Sequence, residues 1–406
     1  MARKISGVPE NSHLASQSLG CAGAVRGMWK RLLILIQALV LSAPAAWAAQ
    51  SQPIKVGLAV GVTGDIAVYG EPIRNGFLLA FKQINEKGEV RIDPILEDTG
   101  GGRDGAINVF QKFIQRDRVA AILGPVLSSQ AFGADPLAVQ AGVPVVGVSN
   151  TAKGITDIGA TVFRVSAPEA AQIPKSIAVA KKVLNLQRVV VLYDNADDFT
   201  VSGYKTFVEE LQKNGIQVVD TITFARGDSD FSAQLTKAKA ANPQAIVVSA
   251  LAREGTLLLI QGRNLGITVP FIGGNGFNDT NIITRAGQAA EGLIVGTAWV
   301  PSAPTSVNLK FYGSYRDTYK KEPNQFAAQA YTGAQVVAEA IRRANLTGAE
   351  DIRVQRDKIT EALKTIKNFE TPLGRISIGD NRDVIQPRTY VAVVRNGRFT
   401  ELVPPQ

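Results

Sequence analysis

The sequence predicts an α/β protein of two lobes, each a doubly wound, mainly parallel sheet. Three observations lead there. From Pro53 onward, short β-branched apolar runs alternate with segments whose apolar residues recur at about the 3.6-residue period of a helix. More than ten such elements follow one another, which overfills a single sheet, and 406 residues exceed one ordinary domain. An apolar content of 45% against 19% charge supplies enough core for both lobes and argues against disorder.

The elements run as follows. "MWKRLLILIQALVLSAPAAWAAQ" has a basic start (Lys30, Arg31), an apolar run from Leu32 to Leu41, and Ala46-Trp47-Ala48 before the expected cut. That is the pattern of an export signal, too short between those flanks for a membrane span. Residues 1–48 are set apart on this basis, with 1–27 read as a mis-assigned start upstream of Met28. Cys21 follows Ser18-Leu19-Gly20 as a lipid-anchor cysteine would, but no apolar run precedes it. No second long apolar stretch occurs, so the mature chain is expected to be soluble and outside the cytoplasm. "IKVGLAV" (54–60), "VAAIL" (119–123), "VPVVGV" (143–148), "RVVVLY" (188–193) and "QAIVVSA" (244–250) read as buried parallel strands. One helix between them carries Ile73, Phe77, Leu78, Phe81 and Ile84; another carries Tyr204, Phe207, Val208 and Leu211. Pattern breaks with Pro or Gly at 163–169, 297–304 and 377–383 are the expected crossings between lobes. Residues 53–166 with 300–378 then make lobe I, and 167–299 with 379–406 make lobe II.

Composition excludes several functions. Removing residues 1–48 takes away five basic residues and one acidic residue, leaving 39 against 34 and a mild net charge of +5. No basic run with interleaved aromatics appears, so no nucleic-acid partner is expected. The single Cys (Cys21) and single His (His13) both lie in the discarded segment. A mature chain without either has no Cys or His nucleophile–base pair, no His/Cys metal site and no disulfide. Neither a metal nor a cofactor is expected. "EDTGGGRDG" (97–105) stands where a phosphate loop would, but matches neither nucleotide-binding pattern and reads as a loop at the mouth of a cleft. "SGYK" (202–205) spells S-x-x-K without S-D-N or K-T-G, and no G-x-S-x-G occurs. A Ser/Lys hydrolase therefore lacks its positioned base. Trp299, the one Trp of the mature chain, sits at a crossing and is read first as hinge packing, with a place in the cleft lining as the alternative.

Two hydroxyl clusters remain. "AILGPVLSSQ" runs from an apolar strand through Gly124-Pro125 to Ser128-Ser129, and "VPVVGV" runs to Ser149-Asn150-Thr151. Each is expected to precede a helix, where hydroxyls serve as ordinary N-caps. On neighbouring strands they also form a seat for an anion, built from hydroxyls and free helix-start N–H groups. Each bond to a charged acceptor contributes roughly 1.5–3 kcal/mol net. Micromolar affinity needs only about 8 kcal/mol, so a few such bonds and a buried apolar body suffice.

Several stretches, in order, resemble the leucine/isoleucine/valine-binding protein family, the periplasmic receptors of ABC importers. They are "IKVGLAVGVTGDIAVYGEPIRNGFLLAFKQIN", "AAILGPVLSSQ", "GVPVVGVSNTAKGIT", "VVVLYDNADDFTVSG", "AAEGLIVGTAWV" and "RISIGDNRDVIQPRTYVAVVRNG". The resemblance implies two Rossmann-like lobes joined by a three-stranded hinge and closing on a ligand. It also implies a periplasmic monomer that delivers its ligand to an ABC permease in the inner membrane. The implied ligand is a small apolar carboxylate, first of all a branched-chain or other aliphatic amino acid. The family's tyrosine of the first strand–helix loop falls on Tyr69, and its carboxylate-holding serine on Ser128, with Ser129 beside it. Its contacts after the next strand fall on Ser149 and Thr151, which flank Asn150. Lobe II departs from the pattern: tyrosine positions are Phe199 and Leu251, and the glutamate that pairs with a ligand ammonium is Asn275. A neutral amide cannot offset the desolvation of an ammonium. Asp197, Asp198 or Glu254 are candidate substitutes. The alternatives are an amine-free acid, such as an aromatic acid, and a ligand-sensing role beside a signalling receptor.

Overall fold

A computed structural model describes residues 52–404. The expected export signal, Met28 and Cys21 lie outside the described residues. The first sheet contains β1 (Ile54–Val60), β2 (Ile92–Asp98), β3 (Ala121–Leu123), β4 (Val145–Gly147) and β5 (Val162–Arg164). Their order is β2-β1-β3-β4-β5, and every pairing is parallel. The chain then builds β6 (Arg188–Asp194), β7 (Gln217–Phe224), β8 (Ala245–Ser249), β9 (Phe271–Gly273) and β10 (Ile294–Thr297). A small antiparallel sheet follows, made of β11 (Phe369–Thr371), β12 (Gly374–Ile378) and β13 (Val384–Ile385). Last come β14 (Tyr390–Arg395) and β15 (Arg398–Glu401), which complete the second sheet in the order β15-β14-β10-β9-β8-β6-β7. Only the β10–β14 and β14–β15 pairings of that sheet are antiparallel.

The strand sequences explain this layering. Parallel strands covered by helices on both faces carry continuous apolar runs, and every residue of β8 is buried. In β1 only Lys55 reaches the surface. Helices Ala67–Lys87, Arg103–Gln111 and Ser128–Gln140 follow β1, β2 and β3; Asp198–Lys213 and Ala252–Asn264 follow β6 and β8. In the first of these, Ile73, Phe77 and Phe81 are buried, as their spacing predicts. Leu78 departs from the expected stripe and is 38% exposed, because one residue beyond Phe77 turns about 100° around the axis. The long helix Gln325–Arg343 packs against Ala67–Lys87, and its Ala334 shares a buried cluster with Phe77, Leu123 and Val148 of the first lobe.

The chain passes between the two sheets three times, over 165–168, 298–305 and 386–389. The third passage lies beyond the expected 377–383. There the Gly/Asn-rich stretch is a hairpin turn, with Ile378 paired to Val384 across it. Trp299 is buried at the second passage, where its Nε1–H donates to Asn308 Oδ1 at 2.7 Å. Among the described residues, no helix is long and apolar enough to cross a membrane.

Candidate ligand-binding site

Each parallel sheet has a place where strand order reverses, between β1 and β3 in the first and between β6 and β8 in the second. Loops beyond the carboxyl ends of strands at such points diverge and leave a crevice. In this molecule the two crevices face each other. Tyr69, Ser128 and Ser149 follow β1, β3 and β4, while Phe199, Leu251 and Asn275 follow β6, β8 and β9. All six line one cavity of about 20 Å³, closed by Val126, Leu127, Gly276 and Phe326. That volume is about the space one water requires, so the two edges lie drawn together. None of the lining residues carries a charge.

The first edge is built by the turn after β3. Gly124 has φ +110°, and a Cβ there would stand 2.3 Å from the Ala59 carbonyl oxygen, so only glycine fits. The helix then begins at Ser128, with Leu127 at the N-cap. Ser128 and Ser129 are thus first-turn residues and not the caps their type allows, and the helix cannot satisfy their N–H groups internally. The Ser128 hydroxyl accepts the Ala152 N–H at 3.3 Å, and the Ser149 hydroxyl donates to the Val126 carbonyl at 2.6 Å. Ser129, Asn150 and Thr151 do not line the cavity. Ser129 turns its carbonyl to Arg103 (3.1 Å), and Asn150 Nδ2 leans on the Val126 carbonyl (3.4 Å). Thr151 Oγ1 is buried without a partner among the described residues. The helix expected after this cluster is only a 3₁₀ turn, Thr156–Ile158. The loop is braced instead by Arg164, which donates to the Asn150 and Ala152 carbonyls at 3.2 and 2.7 Å. Asp383, from the β12–β13 turn, neutralises the guanidinium.

The second edge is mainly apolar. Phe199 stands in the first turn of Asp198–Lys213, Leu251 at the N-cap of Ala252–Asn264, and Asn275 opens a 3₁₀ turn. The three candidate carboxylates are engaged elsewhere. Asp197 accepts the Phe199 and Thr200 N–H groups at 3.0 and 3.3 Å, and burial raises it above its ordinary range. Asp198 pairs with Arg103 at 2.7 Å on the surface. Glu254 accepts the Gly227 N–H at 3.1 Å and pairs with Arg253 at 3.0 Å.

Two residues escaped the sequence reading. Glu169 is 1% exposed, its Oε1 accepts the Asn275 N–H at 3.4 Å, and its Oε2 has no partner among the described residues. Burial pushes its pKa up to about 8, so the group is mostly protonated at neutral pH. Its only signal was an acid directly after Pro168, which marks a helix start. Phe326 meets Tyr69 edge-on, with ring centres 5.0 Å apart. In sequence it is one apolar residue of an ordinary buried helix.

Several contacts hold the edges together. The Tyr69 hydroxyl donates to the Gly276 carbonyl at 2.8 Å and accepts the Ala252 N–H at 2.6 Å. Burial raises the Tyr69 pKa well above its ordinary value, so it keeps its proton. At the mouth, Arg226 donates to the Gly101 carbonyl (3.0 Å) and the Lys153 N–H to Ser202 Oγ (2.9 Å). The "EDTGGGRDG" loop therefore does border the opening. Among the described residues, no three His, Cys, Asp or Glu side chains gather as a metal site.

Known proteins share this plan. A leucine-, isoleucine-, valine-, threonine- and alanine-binding protein of Pseudomonas aeruginosa is 28% identical over 87% of this chain and 93% of its own length. A branched-chain amino acid transporter substrate binding protein from Streptococcus pneumoniae, solved in complex with isoleucine, superposes with a TM-score of 0.80 at 28% identity. That match covers 87% of this chain and all of the other. A solute binding protein of an ABC transporter from Rhodopseudomonas palustris, solved with 3,4-dihydroxy benzoic acid, gives 0.76 at 27% identity over 86% and 96%. The periplasmic binding protein model matches residues 53–398, nearly the whole described chain, and with two doubly wound lobes whose switch points face each other this chain belongs to the periplasmic binding protein family.

Proposed function

We propose that the protein is the exported solute receptor of an ABC importer and carries a small apolar carboxylate to the permease. Residues 28–48 direct export, and the mature chain works as a monomer in the periplasm. Lobe I comprises 53–166 with 300–385, lobe II 167–299 with 386–404, and the three passages between the sheets act as the hinge. Ser128, with first-turn N–H groups of the helix Ser128–Gln140, seats the carboxylate; Ser149 lines the seat with its hydroxyl proton held by Val126, and Ser129, Asn150 and Thr151 support it from outside the cavity. Tyr69 flanks the ligand, and Phe199, Leu251 and Asn275 form the far wall. The observation that carries this reading is a cavity at two facing switch points, lined by two serines and by no charged residue. Uncharged donors hold an anion tightly enough for uptake without a salt bridge that would oppose release.

Closure commits the ligand because the lobe II contacts form only when the edges meet. The exposed Arg103–Asp198 ion pair at the mouth contributes little by itself, about 0–1 kcal/mol. The lobes therefore reopen readily once the ligand is handed on.

Branched-chain amino acids are the first ligand candidates, since relatives carry them in name. A second reading, an amine-free acid, is favoured by the absence of any carboxylate from the cavity wall. A thermal-shift panel of aliphatic amino acids, benzoate-type acids and short fatty acids tests the proposal. A ligand present at 100 times its Kd stabilises by about 2.7 kcal/mol, a readable shift. No response to any acid would refute the carboxylate seat, and turnover of a ligand by the purified protein would replace it with an enzyme.

A further inference from the structure

The second edge holds one polar side chain facing the cavity, and its polarity is determined by its neighbours. Asn275 lines the cavity, and its Oδ1 accepts from Gln325 Nε2 at 2.7 Å. Gln325, first residue of the helix Gln325–Arg343, accepts the Ala298 N–H on its Oε1 at 2.6 Å and the Thr297 hydroxyl at 2.8 Å. A backbone N–H can only donate, so Gln325 must turn its oxygen to Ala298 and its Nε2 to Asn275. Asn275 must then meet Gln325 with its oxygen. Its Nδ2, without a partner among the described residues, is left for the cavity. The Glu169 carboxyl fixes the Asn275 backbone from behind by accepting its N–H.

This inference rests on the proposed carboxylate seat and decides between its two ligand readings for the second, the amine-free acid. We infer that the relay from Ala298 through Gln325 to Asn275 presents a hydrogen-bond donor, so the ligand is a small apolar carboxylic acid bearing a second oxygen acceptor and no ammonium. Gln325 is a positioning residue: it does not itself line the cavity, and its side chain reaches the wall through Asn275. An ammonium placed against Nδ2 would meet donor against donor. The buried acids nearby do not relieve that clash, because Asp197 and Glu254 are engaged with backbone N–H groups and none of them lines the cavity.

Calorimetric titration of the whole mature protein with matched acids tests the inference. One series is leucine, 2-hydroxy-4-methylpentanoate, 4-methyl-2-oxopentanoate and 4-methylpentanoate; the other is benzoate, 4-hydroxybenzoate and 4-(aminomethyl)benzoate. The oxygen-bearing member of at least one series should bind roughly tenfold or more tighter than its ammonium counterpart, as expected when a site is built around one polar group. Leucine or 4-(aminomethyl)benzoate binding as tightly as the oxygen analogue of its series would overturn the inference while leaving the carboxylate seat standing. If no acid in either series binds, the seat itself fails and the inference with it.

Gln325→Glu tests the relay. A carboxylate there still accepts from Ala298 but has no proton for Asn275, so the amide must rotate and show Oδ1 to the cavity. The ratio of oxygen to ammonium affinities should fall by roughly tenfold. A merely structural role for Gln325 would weaken all ligands alike and leave the ratio unchanged, which would refute the relay. Asn275→Asp gives the same reading if the first variant fails to fold: its ratio should also move toward the ammonium, and an unmoved ratio counts against the proposal.

Discussion

The two edges of the cleft are built from the same strand–loop–helix units, yet they present different chemistry. The first shows hydroxyls and helix-start N–H groups, held by a glycine turn after β3 and by Arg164 beneath the next loop. The second shows Phe199 and Leu251, and its acids cap helices, pair with arginines or lie protonated behind Asn275. Such a division suits transport. On the proposed reading, one lobe recognises the head group in the open state, and the other adds apolar burial and a single donor only on closure. A carboxylate retracted from the cavity wall still shapes the site through the backbone it holds.

The largest effect should come from cutting the bond that joins the edges. Tyr69→Phe removes a hydroxyl that satisfies two buried backbone groups only when the lobes meet. Leaving both unpartnered costs about 3 kcal/mol, or roughly a hundredfold in affinity for the tightest acid of the panel. Melting of the ligand-free protein should change little, because the open form hydrates those groups. An unchanged Kd would show that the edges meet without this tyrosine.

Ser128→Ala probes the first edge alone. Losing one bond to a charged acceptor should weaken binding roughly tenfold, with the melting temperature nearly constant. Equal loss for acids and for their methyl esters would mean that Ser128 never meets the carboxylate.

Glu169→Gln probes the second edge through pH. The buried carboxyl titrates at about 8 against an ordinary value of 4.5, so the folded state holds its proton more tightly than the unfolded state. Stability from this group is complete below about 4.5 and is lost as pH rises through about 8. The variant should therefore gain in melting temperature relative to the parent as pH goes from acidic to mildly alkaline. Parallel melting curves across that range would show that Glu169 is not held protonated.

Arg103→Ala should do least. Its pair with Asp198 is half exposed on both sides, worth at most about 1 kcal/mol. Affinity should fall less than about fivefold, and added salt should erase the difference. A larger, salt-resistant loss would make the mouth part of the recognition surface.

Much of this was legible in the chain itself. β1, β6 and β8 match the apolar runs that announced them, because a strand buried on both faces must be continuously apolar. Ser128 and Ser149 were readable as cleft residues because strand ends in such sheets carry ligands. Leu78 was misjudged by one position of helical rotation, and the helix expected after Thr151 shrank to a 3₁₀ turn because Arg164 braces that loop from a distance.

By itself, then, the sequence determined the architecture, the lack of Cys and His among the described residues, and the uncharged character of the first edge. These depend on composition and on periodicities that act within a few residues. Tertiary structure alone decided that Glu169 stands behind Asn275, that Tyr69 closes onto Gly276 and Ala252, and that Gln325 fixes which way the Asn275 amide is turned. The reason is physical: a buried side chain's protonation and hydrogen-bond polarity are set by whichever distant groups folding places against it, and local spacing carries no record of them.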